Sequence, residues 1–372
     1  MLIGVPKEIK VHEYRVGLTP ESVRELVARG HRVMVQRDAG AGIGATDADY
    51  ASAGGVVVAS AEEVFKLAEM IVKVKEPLAA ERAWLRTGQA LFTFLHLAAD
   101  AEQTRDLVKS GVIAIAYETV TSPTGSLPLL APMSVVAGRM AIQVAAHFLE
   151  RAHGGRGVLL SGAAGVPPGR VLILGAGVVG SNAALIALGM GAEVTVLSRP
   201  AGPLERLKAE LGPRLKAMIS TPQAIEDQLR GADAVIATAM VPGGLAPKLV
   251  TRAMLAGMKQ GAVVVDVSID QGGCFETSRP TTHADPVYTV DGIIHYCVAN
   301  MPGAVPRTST YALSHATLPF VKELADSGVV QALKLNEHLR DGLNVCRGAV
   351  TRREVAAARG YPYTEPLRAL GA

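Results

Sequence analysis

Three glycines announce the chemistry open to this sequence. Gly175, Gly177 and Gly180 stand in the run Val171-Leu-Ile-Leu-Gly175-Ala-Gly177-Val178-Val179-Gly180, after four apolar residues and before an apolar stretch over 181–190. That context predicts a buried strand turning sharply into a helix, and another strand follows at 193–197. Gly175 permits the tight turn, Gly177 lets the backbone approach a pyrophosphate, and Gly180 lets helix and strand pack closely. The helix N-terminus supplies free N–H groups and a positive dipole end for phosphates. A dinucleotide site explains this pattern better than a glycine-rich structural turn.

The tip of the next strand is where such a unit distinguishes its cofactors. An acid about twenty residues on usually accepts hydrogen bonds from the adenosine ribose hydroxyls. Here that place holds Ser198, followed by Arg199. A neutral serine does not repel a 2′-phosphate, and an arginine pairs with one through charge-assisted hydrogen bonds. The expected cofactor is NADP(H) or NAD(H), with NADP(H) favoured. The alternative is a solvated Arg199 and an NAD site.

These residues need a scaffold that alternates strands and helices. Strands are expected at 2–5, 31–36, 70–74, 91–95 and 112–117, with helices at 20–29 and 61–67. Thr19 is the expected N-cap of the first helix, with Pro20 at its first position. Proline and glycine mark a change between Ser122 and Pro132. A long helix is expected over 134–151, with Ser134 as a plausible N-cap. After a loop rich in glycine (154–169) come strands at 171–174, 193–197, 234–237, 262–267 and 295–298. A helix at 310–326 and a helical tail close the chain. The alternation predicts an α/β protein of two Rossmann-like domains with mostly parallel sheets. The dinucleotide-binding domain, 133–304, is inserted into a substrate domain built from 1–132 and 305–372.

Bulk composition agrees with this scaffold. The 372 residues are 49% hydrophobic and 19% charged, with 39 glycines, so sizeable cores can be buried. A net charge of +3, without a block of like charges, argues against a nucleic-acid surface. Cys274, Cys297 and Cys346 lack metal-ligand spacing and imply no disulfide framework; free buried thiols in a reducing compartment are expected. The N-terminal apolar run is too short for a signal peptide, so a cytoplasmic location is expected. No charge occurs between Arg170 and Glu193, but a glycine turn and Asn182 inside that stretch fit a buried strand–turn–helix better than a membrane span.

Several segments resemble one family, the alanine dehydrogenases of the alanine dehydrogenase and pyridine nucleotide transhydrogenase superfamily. They are Val5-Pro-Lys-Glu8, Glu13-Tyr-Arg15-Val, Lys73-Val-Lys75-Glu-Pro77, Phe92-Thr-Phe-Leu-His96-Leu, Leu129-Leu-Ala-Pro-Met-Ser134, Val241-Pro-Gly, Ala246-Pro-Lys-Leu-Val250, Asp270-Gln-Gly-Gly-Cys-Phe-Glu276, Ser278-Arg-Pro-Thr-Thr282 and Val298-Ala-Asn-Met-Pro302. The resemblance implies interconversion of L-alanine with pyruvate and ammonia, a cleft between two domains, and a homohexamer. It also implies roles for four polar residues. Arg15 offers a planar fork to the substrate carboxylate, and Lys75 a point cation to the carboxylate or the 2-oxo group. His96 shuttles a proton as water adds to the imine, since imidazole exchanges its proton near neutrality. Asp270 accepts from the amino group or water and stabilises the cationic imine. Taken alone, these would read as a surface arginine, a solvated strand end, a core histidine and a turn residue.

The same resemblance makes Asn300 a substrate contact. It makes Ser134, Val178, Val179, Ser220, Val267, Ser268, Ile269, Asp270, Arg279, Val298 and Met301 cofactor contacts. The chain departs from the family at Ser198, Arg199 and Pro203, three changes on one loop. Val135 stands where the family often has glutamate, without an account. Some members hold magnesium with an acid at the place of Glu118 and a histidine at that of Ser327; the second ligand is missing, so no metal is expected. The competing functions are an NAD-specific alanine dehydrogenase, a related small amino-acid dehydrogenase, a soluble transhydrogenase-like subunit that would not need His96 and Asp270, and a non-enzymatic nucleotide sensor.

Overall fold

A computed structural model describes residues 1–239 and 245–371, and the Val241-Pro-Gly motif lies outside the described residues. The chain divides into two compact units, Met1–Met133 with Gly303–Ala372, and Ser134–Pro302. The first opens with β1 (Leu2–Val5), β2 (Arg32–Gln36), β3 (Val56–Val58), β4 (Met70–Val72), β5 (Ala90–Thr93) and β6 (Ile113–Ala116). The second holds β7 (Arg170–Leu174), β8 (Glu193–Ser198), β9 (Leu215–Ile219), β10 (Ala234–Ala237), β11 (Val263–Asp266), β12 (Val287–Val290) and β13 (Ile293–Tyr296). The chain then returns to the first unit with β14 (Leu343–Cys346) and β15 (Ala349–Val350).

Both sheets follow one plan. The first runs β15-β14-β6-β5-β4-β1-β2-β3 and the second β12-β13-β11-β10-β7-β8-β9. Strands β1 to β6 pair only in parallel with one another, and so do β7 to β11 with β13. This is the doubly wound order, and each sheet has one switch point: between β1 and β4, and between β7 and β10. Helices on both faces of a parallel sheet demand strands apolar throughout, and β5, β6, β10 and β11 are buried along their whole length. Ligands of such sheets sit outside the carboxyl ends of the strands at the switch point.

The α/β class, the mostly parallel sheets and the insertion agree with the sequence reading. Several local details do not. The expected helical tail contains β14 and β15, which extend the first sheet in antiparallel fashion beyond β6. Their turn is Arg347-Gly348, both with positive φ (47° and 90°), and β12 and β13 are joined likewise by Asp291-Gly292 (52° and 80°). Two such residues make the tight turn whose twist suits a hairpin, so Asp-Gly was a readable signal. The long helix runs Ala131–Phe148, so Ser134 lies inside it and does not cap it. The glycine-turn helix is Val178–Gly189 and starts directly after Gly177, three residues earlier than expected. Thr19 does cap Pro20–Ala28, its side chain accepting from the Ser22 N–H. All three cysteines are free and buried. Among the described residues no helix is long and apolar enough to cross a membrane.

Candidate active site

In the first unit, three candidate side chains stand on loops at carboxyl ends of strands. Arg15 lies on the connection from β1 to the helix Pro20–Ala28. It is not the surface arginine that its surroundings in sequence suggest: it is 2% exposed. Its Nε donates to Glu13 Oε1 at 2.7 Å and its Nη2 to Glu13 Oε2 at 2.5 Å, while Nη1 lies 3.1 Å from Met133 Sδ. A carboxylate thus orients the planar fork and shares its charge.

Lys75 follows β4 and is partly buried. The structure separates it from Lys73, the other lysine of the same motif. Lys73 is buried between two carboxylates, donating to Glu8 Oε2 at 3.1 Å and to Glu81 Oε1 at 2.8 Å. The other oxygen of Glu8 accepts from the backbone N–H groups of Val74 (2.7 Å) and Lys75 (3.3 Å). The Lys75 carbonyl accepts from Thr93 Oγ1 at 2.9 Å. The backbone that carries Lys75 is therefore held from both sides. Burial pushes the Glu8 carboxyl above its ordinary range, with Lys73 acting in the opposite direction. Glu76 feels burial too, yet Lys75 and Lys10 hold it below its ordinary value.

His96 follows β5 and adopts φ +52°, the left-handed region that side chains with a Cβ avoid. One carboxylate holds it there. Glu118, in the turn Tyr117–Thr119 after β6, accepts from the His96 N–H at 2.6 Å and from the Leu95 N–H at 3.2 Å. The imidazole is stacked near Phe94 (centroids 5.9 Å, planes 4° apart), and its Nδ1 lies 3.8 Å from Glu118 Oε1. Its side chain is 48% exposed, so water or a ligand can reach the ring.

In the second unit the glycine turn fits a dinucleotide. Gly175 has φ +120°, and its N–H donates to the Leu197 carbonyl at 2.8 Å. A Cβ there would meet Thr238 Oγ1 at 2.6 Å, and one at Gly180 would lie 1.9 Å from the Gly175 carbonyl oxygen. Neither position tolerates a side chain. At Gly177 a Cβ would meet nothing within 4 Å among the described residues beyond the glycine's own chain neighbours and helix, which leaves space beside the backbone. Gly177 caps the helix without a side-chain hydrogen bond, so the first-turn N–H groups have no side-chain acceptor at the cap and suit an anion. Val178 is exposed at this opening and Val179 is partly so.

Asp270 is exposed in a tight turn, Ile269–Gln271, that follows β11 and ends at Gly272 with φ +91°. The last residue of β11, Asp266, builds this loop. Its carboxylate accepts from the N–H groups of Ser268 (3.1 Å), Cys274 (2.7 Å) and Phe275 (3.4 Å) and from Ser278 Oγ (2.5 Å). Burial pushes Asp266 up, and the four donors pull it back. Burial also pushes the Cys274 thiol up to about 11, so it is protonated and inert. Val267 bridges β11 to the turn, and Ser268 and Ile269 are buried in it.

The remaining candidates occupy the same unit. The Arg279 guanidinium lies 4.0 Å over the Tyr288 ring. Val298 and Met301 are buried, and the Asn300 carbonyl accepts from His283 Nε2 at 2.8 Å. Ser134 is partly buried. Ser220 donates its N–H to the Ser198 carbonyl at 3.0 Å, beside the tip of β8. Sequence reasoning missed three carboxylates, Glu8, Glu118 and Asp266, as supports. Each ends or follows an apolar strand, and an acid at that place was the available signal.

Comparison with known proteins agrees with this geometry. Residues 4–137 match the alanine dehydrogenase/PNT N-terminal domain and residues 141–353 the alanine dehydrogenase/PNT C-terminal domain. The chain belongs to the alanine dehydrogenase/PNT family. It is 57% identical over 371 residues to the alanine dehydrogenase of Halomonas elongata, covering 100% of both chains. The alanine dehydrogenase of Bacillus subtilis is 51% identical over 371 residues, with 100% of this chain and 98% of that one covered. A solved L-alanine dehydrogenase superposes with TM-score 0.93 at 50% identity, over 96% of this chain and 99% of that one. Another structure of similar fold, the transhydrogenase from Sinorhizobium meliloti, has TM-score 0.81 at 28% identity, over 95% and 99%.

Proposed function

We propose that this chain catalyses the reversible oxidative deamination of L-alanine: L-alanine, an oxidised nicotinamide dinucleotide and water give pyruvate, ammonium, the reduced dinucleotide and a proton. One observation carries the reading. Arg15, Lys75, His96 and Asp270 all stand on loops that leave sheet strands, in a chain 57% identical end to end to an alanine dehydrogenase. The glycine turn of the second unit would hold the pyrophosphate. Ser134, Ser220, Arg279, Val298, Met301 and the backbone from Val267 to Asp270 would flank the rest of the cofactor. When bound, the nicotinamide accepts or donates a hydride at C4.

The side chains divide the remaining work. Arg15, its fork already oriented by Glu13, takes the substrate carboxylate with two parallel hydrogen bonds. Lys75 holds that carboxylate or polarises the 2-oxo group, and Asn300 adds a contact to the substrate. Once the substrate ammonium has released a proton to solvent, loss of hydride from Cα leaves a cationic imine, which the Asp270 carboxylate stabilises. His96 takes a proton from water as its oxygen adds to the imine carbon. His96 then returns that proton to the amine, and the carbinolamine collapses to pyruvate as its hydroxyl proton leaves with the departing ammonia as ammonium. A transhydrogenase-like subunit has no use for this set. Glu118 serves here as an acceptor for backbone N–H groups, and Ser327 stands where some relatives carry a histidine, so no metal is assigned to the mechanism. A homohexamer, as the family resemblance implies, working in the cytoplasm completes the reading.

Pyruvate- and ammonium-dependent oxidation of NADPH or NADH, followed at 340 nm, tests the proposal. No turnover with either cofactor would refute it. The positioning of His96 has its own test. Glu118→Gln removes the charge from the acceptor that holds a strained backbone, and kcat is expected to fall about tenfold to a hundredfold. Calorimetry should find the affinity for the dinucleotide unchanged, because Glu118 lies outside the unit that carries the glycine turn.

A further inference from the structure

The tip of β8 departs from the usual design of a dinucleotide site, and its geometry shows what the departure does. Ser198 ends β8 next to β7, the strand that leads into the glycine turn. The Gly175 N–H binds the carbonyl of Leu197, so this tip and the turn are one backbone assembly. Ser198 is 9% exposed, and among the described residues its hydroxyl has no hydrogen-bond partner. That leaves the hydroxyl available to a ligand. Beside it Arg199 is exposed, and no carboxylate or ring among the described residues engages its guanidinium.

The residues that follow add to the same field. Pro200 caps the helix Ala201–Leu211 without a side-chain hydrogen bond, and that helix has no acid in its first turn. Its positive end therefore faces the loop unneutralised. A neutral hydroxyl and a cation at adjacent positions, followed at once by a helix N-terminus, suit a dianion, and none of them is the carboxylate acceptor that a ribose 2′-hydroxyl calls for.

We propose that Ser198 and Arg199 bind the 2′-phosphate of the adenosine ribose, so that the chain prefers NADP(H) to NAD(H). The inference rests on the reading of the glycine turn as the dinucleotide site, but not on the reaction at the other end of the cofactor. Ser198 donates its hydroxyl to the phosphate, and Arg199 faces it with two N–H groups. Because one loop carries both the loss of repulsion and the gain of attraction, the two changes act on the same discrimination.

Titration calorimetry with NADP+ and NAD+, in the absence of substrate, tests this directly. Wild type is expected to bind NADP+ at least about tenfold more tightly, and Arg199→Ala to lose about tenfold to a hundredfold in affinity for NADP+ while NAD+ is little changed. Ser198→Asp is expected to reverse the preference. Arg199 is exposed, so its replacement does not threaten folding. Equal or tighter binding of NAD+ by wild type would overturn the proposal, as would an NADP+/NAD+ ratio unmoved in Arg199→Ala. Selective NADP+ binding without pyruvate turnover would sustain this proposal and refute the dehydrogenase reading. Turnover with NADH alone would do the reverse.

Discussion

His96→Ala is expected to lower kcat, in both directions, by a factor of about 10²–10⁴, the usual worth of a positioned acid–base group. A residue other than glycine at φ +52° is not placed there by local preference, and Glu118 holds it through the His96 and Leu95 N–H groups. The structure thus maintains a strained residue at the carboxyl end of β5 and presents an imidazole that is 48% exposed at its side chain. Removing the ring disturbs little packing, so stability should change by less than about 1 kcal/mol, as for surface substitutions generally. The loss should fall on kcat, and dinucleotide binding should survive. A steady-state comparison at saturating pyruvate and ammonium, with thermal melting as control, checks all three parts.

The second large effect concerns Asp270. Asp270→Asn keeps the size and much of the hydrogen-bonding capacity of the side chain but removes its charge. If the carboxylate stabilises a cationic imine, kcat should drop by about 10²–10³, the range for losing one preorganised electrostatic partner. Asp270 is exposed in a turn whose shape is set by Asp266 and not by its own side chain, so the loop should keep its structure. In the double variant His96→Ala/Asp270→Asn the losses should not multiply, because the two groups serve the same steps. Full multiplication would argue that they act on independent events.

Much of the scaffold was legible because parallel sheets buried on both faces need continuous apolar runs, which β7, β10 and β11 display plainly. The glycine turn was legible for steric reasons: a Cβ at Gly180 would fall 1.9 Å from a carbonyl oxygen, so no other residue fits. Edge strands were harder to read. β9 buries only Leu215 fully, and β15 has just two residues, so little besides the Arg347-Gly348 turn marks that hairpin. Among site residues, Lys75 and His96 were found through motifs, but their supports were not. Glu8 and Glu118 act on backbone N–H groups 22 to 67 residues away in sequence, and no local pattern records such a bond. Arg15 shows the same limit. Its motif was read, but its burial and its pairing with Glu13 depend on packing.

The central claim is that this chain moves a hydride between a nicotinamide and the Cα of alanine. The most direct measurement supplies pyruvate, ammonium and reduced cofactor carrying deuterium in both positions at C4, and analyses the product by mass spectrometry and NMR. The account predicts L-alanine with one deuterium at Cα, formed only when pyruvate and ammonium are both present. Deuterated lactate, or no transfer of deuterium from either NADPH or NADH, would contradict it.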